Sequence, residues 1–239
     1  MEDCIPTIYF YSDLRTKGNI LMTCKKFNKL WNYDNQKEYY KNYKQYESIA
    51  KIDLLNLNKI HLSEIKIKSF YNLRHLSLKS ITIIHSSIGD ITTICNIETL
   101  TTLNLSYNSI SELPKFNLPN LRSLTLDGNK IKDITNITSL TSLEILNISC
   151  NSILELPKNF YILNKLKNIS ISNNNLKHHY PLELMPSLKL INLRHNAITF
   201  SKCCFHNNVS ILDISYNNFQ HLDYDSFNHT VRIFICHTS

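Results

Sequence analysis

The chain has 239 residues, 43% of them hydrophobic, which is enough apolar material for a sizeable core. The formal net charge of +7 is spread along the chain, whereas nucleic-acid-binding proteins concentrate such charge in a stripe, so we expect no nucleic-acid partner. No run of about 18 apolar residues is present, and the start carries Glu2 and Asp3 instead of an apolar stretch. The composition therefore predicts neither a membrane span nor a signal peptide.

Cysteine usage indicates the compartment. The seven cysteines form no C-x-x-C pair and would leave one residue over if bridged, which favours reduced thiols. Only three glycines occur, while Asn, Ile, Lys and Tyr are used heavily, as in A/T-rich genomes such as those of large DNA viruses. We therefore expect a cytoplasmic protein, located in the host cytoplasm if it is viral.

Residues 1–48 form a first segment with its own pattern. Ser12 or Asp13 can cap a helix that runs toward Leu30, and a second helix is expected from Asp34 onward. A short amphipathic helical segment of this kind can cover the apolar end of a repeat array. The segment is therefore predicted to be helical and to cap residues 49–239.

Residues 49–239 repeat one apolar pattern about nine times. Its clearest copy, from Leu100 to Ile110, reads L-x-x-L-x-L-x-x-N-x-I. Two upstream copies starting at Ile52 and Leu73 have Ile in place of Asn, and a last copy starts at Val231. Six consecutive copies carry the asparagine, at Asn108, Asn129, Asn151, Asn174, Asn196 and Asn217.

The spacing within each copy predicts its local structure. Apolar residues two apart are typical of a strand with one buried face, so each copy should add one short parallel strand. Where the chain turns after the strand, backbone groups remain that no ladder pairs, and a buried Asn amide can both donate to and accept from them. We therefore interpret the six asparagines as structural residues.

This pattern resembles that of leucine-rich repeat proteins. The resemblance implies an α/β solenoid shaped as a horseshoe, with parallel strands on the concave face. Steps of 21 and 22 residues, from Leu100 to Leu121 and on to Leu143, leave room only for short 3₁₀ or irregular segments on the convex face. The longer step of 27 residues from Leu73 to Leu100 predicts either an insertion or one helical turn within residues 83–97.

The first segment in turn resembles an F-box. That family has a Leu-Pro start, two short amphipathic helices and a Cys-Lys-x-Phe ending, and it docks on the Skp-type adaptor of a cullin ubiquitin ligase. The resemblance assigns adaptor binding to Ile5, Pro6, Ile8, Leu14, Leu21, Cys24 and Phe27. An F-box followed by leucine-rich repeats is a common order in this family, in which the repeats hold the substrate.

Candidate partner contacts lie on the concave face and just past its strands. Most side chains there are small and polar, whereas protein-binding hot spots favour large aromatic residues and arginine. The larger candidates are Tyr107, Asp127, Arg194, His195 and Tyr216. No phosphate-binding glycine loop, nucleophile elbow or H-E-x-x-H motif occurs, so no enzyme, cofactor or metal site is predicted.

Two functions follow from the sequence. One is an F-box-like substrate receptor that recruits a target to a cullin-type ligase, and the composition is compatible with a viral protein that acts on its host. The other is a leucine-rich repeat scaffold or phosphatase-regulator-like protein in which residues 1–48 serve only as a cap. Because the last copy is cut short at the chain end, an open strand edge there also predicts weak self-association.

Overall fold

In a computed structural model of the chain, the structure describes residues 7–10, 21–22, 59–63, 77–199, 208–218 and 232–234. Within these ranges eleven strands form one sheet. From β3 to β11 the strands lie in the order of the chain, and β1 followed by β2 extends the sheet beyond β3. The strands are β1 Thr7–Phe10, β2 Leu21–Met22, β3 Lys59–Ser63, β4 Ser80–Ile84, β5 Thr102–Asn104, β6 Ser123–Thr125, β7 Ile145–Asn147, β8 Asn168–Ser170, β9 Leu190–Asn192, β10 Ile211–Asp213 and β11 Arg232–Phe234.

Consecutive strands from β3 to β11 pair in parallel. The second residue of each strand, here termed the central residue, pairs with the second residue of the next strand. From β4 to β10 that central residue is buried, while its two neighbours are exposed or half-buried on the opposite face. The core therefore lies on one side of the sheet and the other side is open. The buried central residues are Ile81, Leu103, Leu124, Leu146, Ile169, Ile191 and Leu212.

A ladder of asparagine side chains fills the bends after strands β5 to β10. The Nδ2 group of Asn108 donates to the carbonyls of Ile83, Leu105 and Ser106, at 2.8, 3.0 and 3.1 Å. Its Oδ1 accepts from the backbone N–H groups of Ser86 and Ile88, at 3.0 and 3.2 Å. The other five asparagines each donate to three carbonyls and accept from one N–H of the preceding repeat.

The outer side of the solenoid consists of irregular backbone and four short 3₁₀ helices among the described residues. They span Ile94–Asn96, Thr135–Ser139, Phe160–Ile162 and Leu182–Leu184. The first helix places Ile94 and Cys95 in the core, and each of the other three places one side chain there. The residue after each helix donates its N–H to the carbonyl three residues back, which closes the turn. These are the short convex segments that the repeat length predicted.

One titratable group on this outer side is largely buried. The side chain of His179 is 13% exposed, and its Nε2 lies 2.6 Å from the Glu183 carboxylate. Burial lowers the pKa of His179, and the proximity of Glu183 opposes this effect without cancelling it. In the folded chain, His179 therefore takes up a proton at a lower pH than in the unfolded chain.

This shift predicts a pH-dependent stability. Because the unfolded chain binds more protons once the pH falls below the ordinary histidine value near 6.5, the free energy of unfolding should decrease from about pH 7 to about pH 5. Replacing His179 by Gln should remove the part of this decrease that His179 causes. Urea unfolding of the wild type and the variant across this pH range measures the difference, and parallel curves would contradict the prediction.

The frame of the two upstream repeats differs from the one predicted. Ile81 pairs with Leu103, and Ile60 pairs with Ile81, so both lie at the central strand position. Counted from the predicted starts at Leu73 and Ile52, the repeat pattern puts Leu76 and Leu55 at that position. The predicted start at Leu73 is therefore wrong by five residues, and the repeat begins at the buried Leu78.

The error arises because aliphatic residues fill the apolar positions of the repeat in two alignments that differ by five residues. Buried Ser86, not Ile81, occupies the position of the asparagine in this repeat. A serine suffices because Asn108 of the next repeat accepts the Ser86 N–H. The step from Leu78 to Leu100 is then an ordinary 22 residues, with the single 3₁₀ turn Ile94–Asn96 and no insertion.

The first segment contributes two strands to the sheet. β1 pairs in parallel with β3, so that Ile8 lies beside Ile60, and β2 pairs antiparallel with β1. The prediction that residues 1–48 are helical is therefore wrong at Thr7–Phe10 and at Leu21–Met22, the latter inside the predicted Ser12-to-Leu30 helix. The rest of that helix and the second predicted helix lie outside the described residues.

Candidate binding face

The open side of the sheet, here termed the strand face, carries two columns of side chains that flank the buried central residues. The first column precedes the central residue and comprises Lys59, Ser80, Thr102, Ser123, Ile145, Asn168, Leu190 and Ile211. The second column follows it and comprises His61, Thr82, Asn104, Thr125, Asn147, Ser170, Asn192 and Asp213. Together they form the surface that the sequence predicted as concave.

The first column changes character along the solenoid. Up to Ser123 its members are polar, whereas Ile145 and Ile211 are 43% and 37% exposed and Leu190 between them is half-buried. Leu190 and Ile211 lie side by side on adjacent strands, whereas Asn168 stands between Ile145 and Leu190. The second half of the strand face therefore carries an apolar stripe, defined as Ile145, Leu190 and Ile211.

Charged side chains line the edge where the strands begin. Glu144 accepts from Arg122 at 3.0 Å and from Lys167 at 2.6 Å, so one carboxylate is shared by two cations. The hydrogen bond from Lys167 lowers the pKa of Glu144, and Arg122 contributes in the same direction. Lys189 follows on the next strand and makes no ion pair within the ranges that the structure describes.

A row of left-handed residues lines the opposite edge, where the strands end. In every described repeat the residue directly before the asparagine position has a positive φ, between 51° and 66°. This conformation turns the chain from the strand into the bend, and it projects each side chain onto the rim beside the strand face. The row comprises His85, Tyr107, Gly128, Cys150, Asn173, His195 and Tyr216.

The first half of this row forms one packed cluster. The rings of His85 and Tyr107 stack in parallel, with centroids 4.7 Å apart. The Asp127 carboxylate beside the Tyr107 hydroxyl raises the pKa of Tyr107. Partial desolvation of the thiol and the same carboxylate raise the pKa of Cys150. Although its residue is exposed, this thiol is therefore less readily ionised than a free cysteine.

Gly128 makes the packing of Tyr107 possible. A Cβ atom at this position would lie 2.5 Å from Cδ1 of Tyr107, and the φ of +66° is one that side chains rarely adopt. The ring of Tyr107 therefore lies between the His85 ring and the backbone of Gly128. Only a residue without a side chain allows both contacts.

Replacing Gly128 by Ala should lower the free energy of unfolding by about 1–2 kcal/mol for the left-handed backbone, with a further loss from the collision. Adding Tyr107→Ala to the Gly128→Ala variant should remove the loss of unfolding free energy that the collision causes. The loss caused by the left-handed backbone should remain. Urea unfolding of both single variants and the double variant measures this coupling. Additive losses would show that the ring does not lie on Gly128.

The second half of the row forms a second aromatic cluster. His195 and Tyr216 stack with centroids 4.2 Å apart and an interplanar angle of 15°. The Arg194 guanidinium lies 4.6 Å from the centroid of the Tyr216 ring, a cation–π distance. Arg194 and His195 are exposed and Tyr216 is half-buried, so the cluster is accessible from the strand face.

The five partner-contact residues predicted from the sequence thus fall into two groups. Tyr107 and Asp127 lie in the first cluster, and Arg194, His195 and Tyr216 form the second one. Of the residues assigned to adaptor binding, Ile8 lies in β1 and Leu21 in β2. The remaining ones, Ile5, Pro6, Leu14, Cys24 and Phe27, lie outside the described residues.

Sequence reasoning missed His85 and the apolar stripe. The predicted repeat start at Leu73, five residues too early, gives His85 no defined place in the repeat. Its spacing of 22 residues to Tyr107 is the signal that places it in the same row. The repeat pattern also puts Ile145, Leu190 and Ile211 on the concave face, but the preference of binding hot spots for aromatic residues and arginine does not single them out. Their signal is an aliphatic residue directly before the central strand residue.

Within the described ranges, no group of three histidine, cysteine or acidic side chains is arranged to hold a metal ion. The same part of the chain contains no helix long and apolar enough to cross a membrane.

The comparison with protein families decides the nature of the repeats. The model for leucine-rich repeats in two copies matches the chain over residues 98–139 and again over 119–161. Residues 98–161 carry leucine-rich repeats. A search of curated protein sequences finds no match to it.

Solved structures share the leucine-rich repeat solenoid. An internalin from Listeria monocytogenes is 27% identical with a TM-score of 0.57, and the match covers 72% of this chain and 49% of that one. A leucine-rich repeat protein from Leptospira interrogans is 22% identical with a TM-score of 0.68, over 76% and 49% of the two chains. A TDR receptor is 22% identical with a TM-score of 0.65, over 75% and 34%. The match thus spans about half the length of the first two proteins.

Proposed function

We propose that the chain is a non-enzymatic interaction module that binds a protein partner through its strand face. Leucine-rich repeat proteins generally mediate protein–protein interactions. The observation that carries the proposal is the apolar stripe, because Ile145 and Ile211 stand exposed at the first residues of strands β7 and β10. Burying such aliphatic side chains against a partner is favourable, at about 25 cal/mol per Å² of apolar surface.

The second aromatic cluster also supports the proposal that the strand face binds a protein. Arginine and tyrosine are enriched among residues that dominate binding energies, and Arg194 with Tyr216 supplies both at the rim of the stripe. Stacking on His195 holds the Tyr216 ring in place before binding, which reduces the entropy lost on complex formation.

A pair of matched surface variants tests this proposal. Replacing Ile145, Leu190 and Ile211 by Ser should abolish the capture of a specific partner from native cytosol. Replacing Leu154, Tyr161 and Leu184, which are 54%, 46% and 47% exposed away from the strand face, should leave that capture intact. Partners retained by both variants would contradict the proposal.

The more specific function that we propose is an F-box-like substrate receptor of a cullin-type ubiquitin ligase. It is supported by the Cys24-Lys25-x-Phe27 motif and by the position of that motif before the repeats. Purified Skp-type adaptor should then bind the full chain, and a Leu14→Ala/Phe27→Ala variant should lose that binding. Equal adaptor binding by the variant, or none by the wild type, favours the alternative of a scaffold or regulator with residues 1–48 as a cap.

Two further expectations belong to this proposal. We place the protein in the cytoplasm, that of the host if the protein is viral, which imaging of the tagged chain tests. Weak self-association beyond β11 stays a prediction, and a molar mass independent of protein concentration would contradict it.

A further inference from the structure

We propose that the second half of the strand face binds an acidic amphipathic helix of the partner. This inference rests on the proposed function, since it specifies the chemistry of the protein that the strand face binds. Its occupant is defined by three properties of the described residues: the spacing of the apolar stripe, the cations on both sides of that stripe, and the contacts of the nearby carboxylates.

The spacing of the apolar stripe fits a helix. Neighbouring strands lie about 4.8 Å apart, so Leu190 and Ile211 on adjacent strands are about one strand spacing apart and Ile145 lies about 10 Å from Leu190. Apolar side chains at positions i, i+3 and i+10 of a helix lie about 4.5 and 10.5 Å apart along its axis. An extended chain repeats its side chains on one face only every 6.7 Å or so, which does not match.

Cations stand on both sides of the apolar stripe. Lys167 and the exposed Lys189 lie on the edge where strands β8 and β9 begin, directly before the first-column residues Asn168 and Leu190. Exposed Arg194 lies on the opposite edge, over the ring of Tyr216. A helix laid along the stripe would therefore meet positive charge on both flanks.

Two carboxylates lie near the stripe, and neither forms an ion pair with Lys189 or Arg194 among the described residues. Glu144 is held by Arg122 and Lys167, which leaves Lys189 without an anionic partner among the described residues. Oδ1 of Asp213 accepts the N–H of Ser215 at 3.0 Å. Carboxylates on the two flanks of an apolar helix face would thus find Lys189 and Arg194 free to pair. A basic helix would meet repulsion at the same positions.

The test uses two synthetic helical peptides of about 18 residues, or about five turns, with the same leucine positions. One carries glutamate on both flanks of the leucine face and the other carries lysine. Fluorescence anisotropy should show that the full chain binds the acidic peptide at least about tenfold more tightly than the basic one. Raising the salt concentration should weaken that binding, because paired surface charges are screened.

Charge and stripe variants locate the binding. Lys189→Glu with Arg194→Glu should reverse the preference, and Leu190→Ser should weaken binding of the acidic peptide about tenfold. Lys158→Glu and Leu154→Ser, exposed positions away from the strand face, are the matched controls and should change nothing. Circular dichroism of each variant checks that the fold is retained.

Each outcome supports or overturns the inference. No binding of the acidic peptide, equal binding of both peptides, or insensitivity to the Lys189 and Arg194 changes overturns the acidic helix. In those cases the proposed function still stands if the triple serine variant of the apolar stripe loses a captured protein. If that variant loses nothing, the proposed function itself fails.

Discussion

Replacing Asn108 by Leu is expected to lower the free energy of unfolding by at least about 3 kcal/mol. The amide group makes five hydrogen bonds in the bend, three to carbonyls and two from N–H groups. Leucine has a similar size but cannot hydrogen-bond to the N–H groups of Ser86 and Ile88 or to the carbonyl of Ile83. The carbonyls of Leu105 and Ser106 keep a second donor, Asn129 Nδ2 and the His85 N–H respectively. Each buried group left unsatisfied costs about 1–3 kcal/mol, so the sum exceeds the loss caused by an ordinary surface change.

Urea denaturation followed by circular dichroism measures this loss for Asn108. The matched control is Asn175→Leu, an exposed asparagine that follows directly after the ladder residue Asn174. The control should change the free energy of unfolding by less than about 0.5 kcal/mol. Similar losses for both variants would mean that the ladder amides contribute no more than any asparagine.

A change of Phe160 to Ala should cost about 3–5 kcal/mol, the range found for truncating a buried phenylalanine. Phe160 is the largest fully buried side chain of the described core, and it enters that core from the 3₁₀ helix Phe160–Ile162. The equivalent inward positions in the neighbouring repeats, Ile137 and Leu182, carry smaller side chains that cannot fill the resulting space.

The neighbouring residue supplies the control for this core variant. Tyr161 belongs to the same 3₁₀ helix but is 46% exposed, so Tyr161→Ala keeps the backbone context and removes little buried surface. Its thermal midpoint should stay close to that of the wild type, whereas that of Phe160→Ala should fall by many degrees. Equal shifts would show that the helix, and not the buried ring, is what the change disturbs.

The repeat pattern predicts the fold well where it contains a polar marker. From Leu100 onward the asparagine fixes which leucine faces the core, because only one alignment places an amide in the bend. Upstream, aliphatic residues fill both Leu73-to-Ile83 alignments equally well, and hydrophobicity alone cannot choose between them. The buried Ser86 that decides the frame is too common a residue to be recognised from the sequence.

The candidate site was less predictable for a different reason. The sequence indicated that Tyr107, His195 and Tyr216 lie just past the strands, but not that these rings stack on the side chain of the preceding or following repeat. Such contacts depend on the positive φ of the row and on Gly128. They connect residues of neighbouring repeats, which a pattern read within single repeats does not compare.

The recurrence of the histidine–tyrosine stack has a geometric consequence. The pair His85 and Tyr107 follows strands β4 and β5, and the pair His195 and Tyr216 follows β9 and β10, five strands further along. At about 4.8 Å per strand, the two stacks are separated by roughly 24 Å along the sheet. That distance can change only in whole-repeat steps, so the gain or loss of one repeat between them would move two intact ring pairs apart or together by a fixed increment.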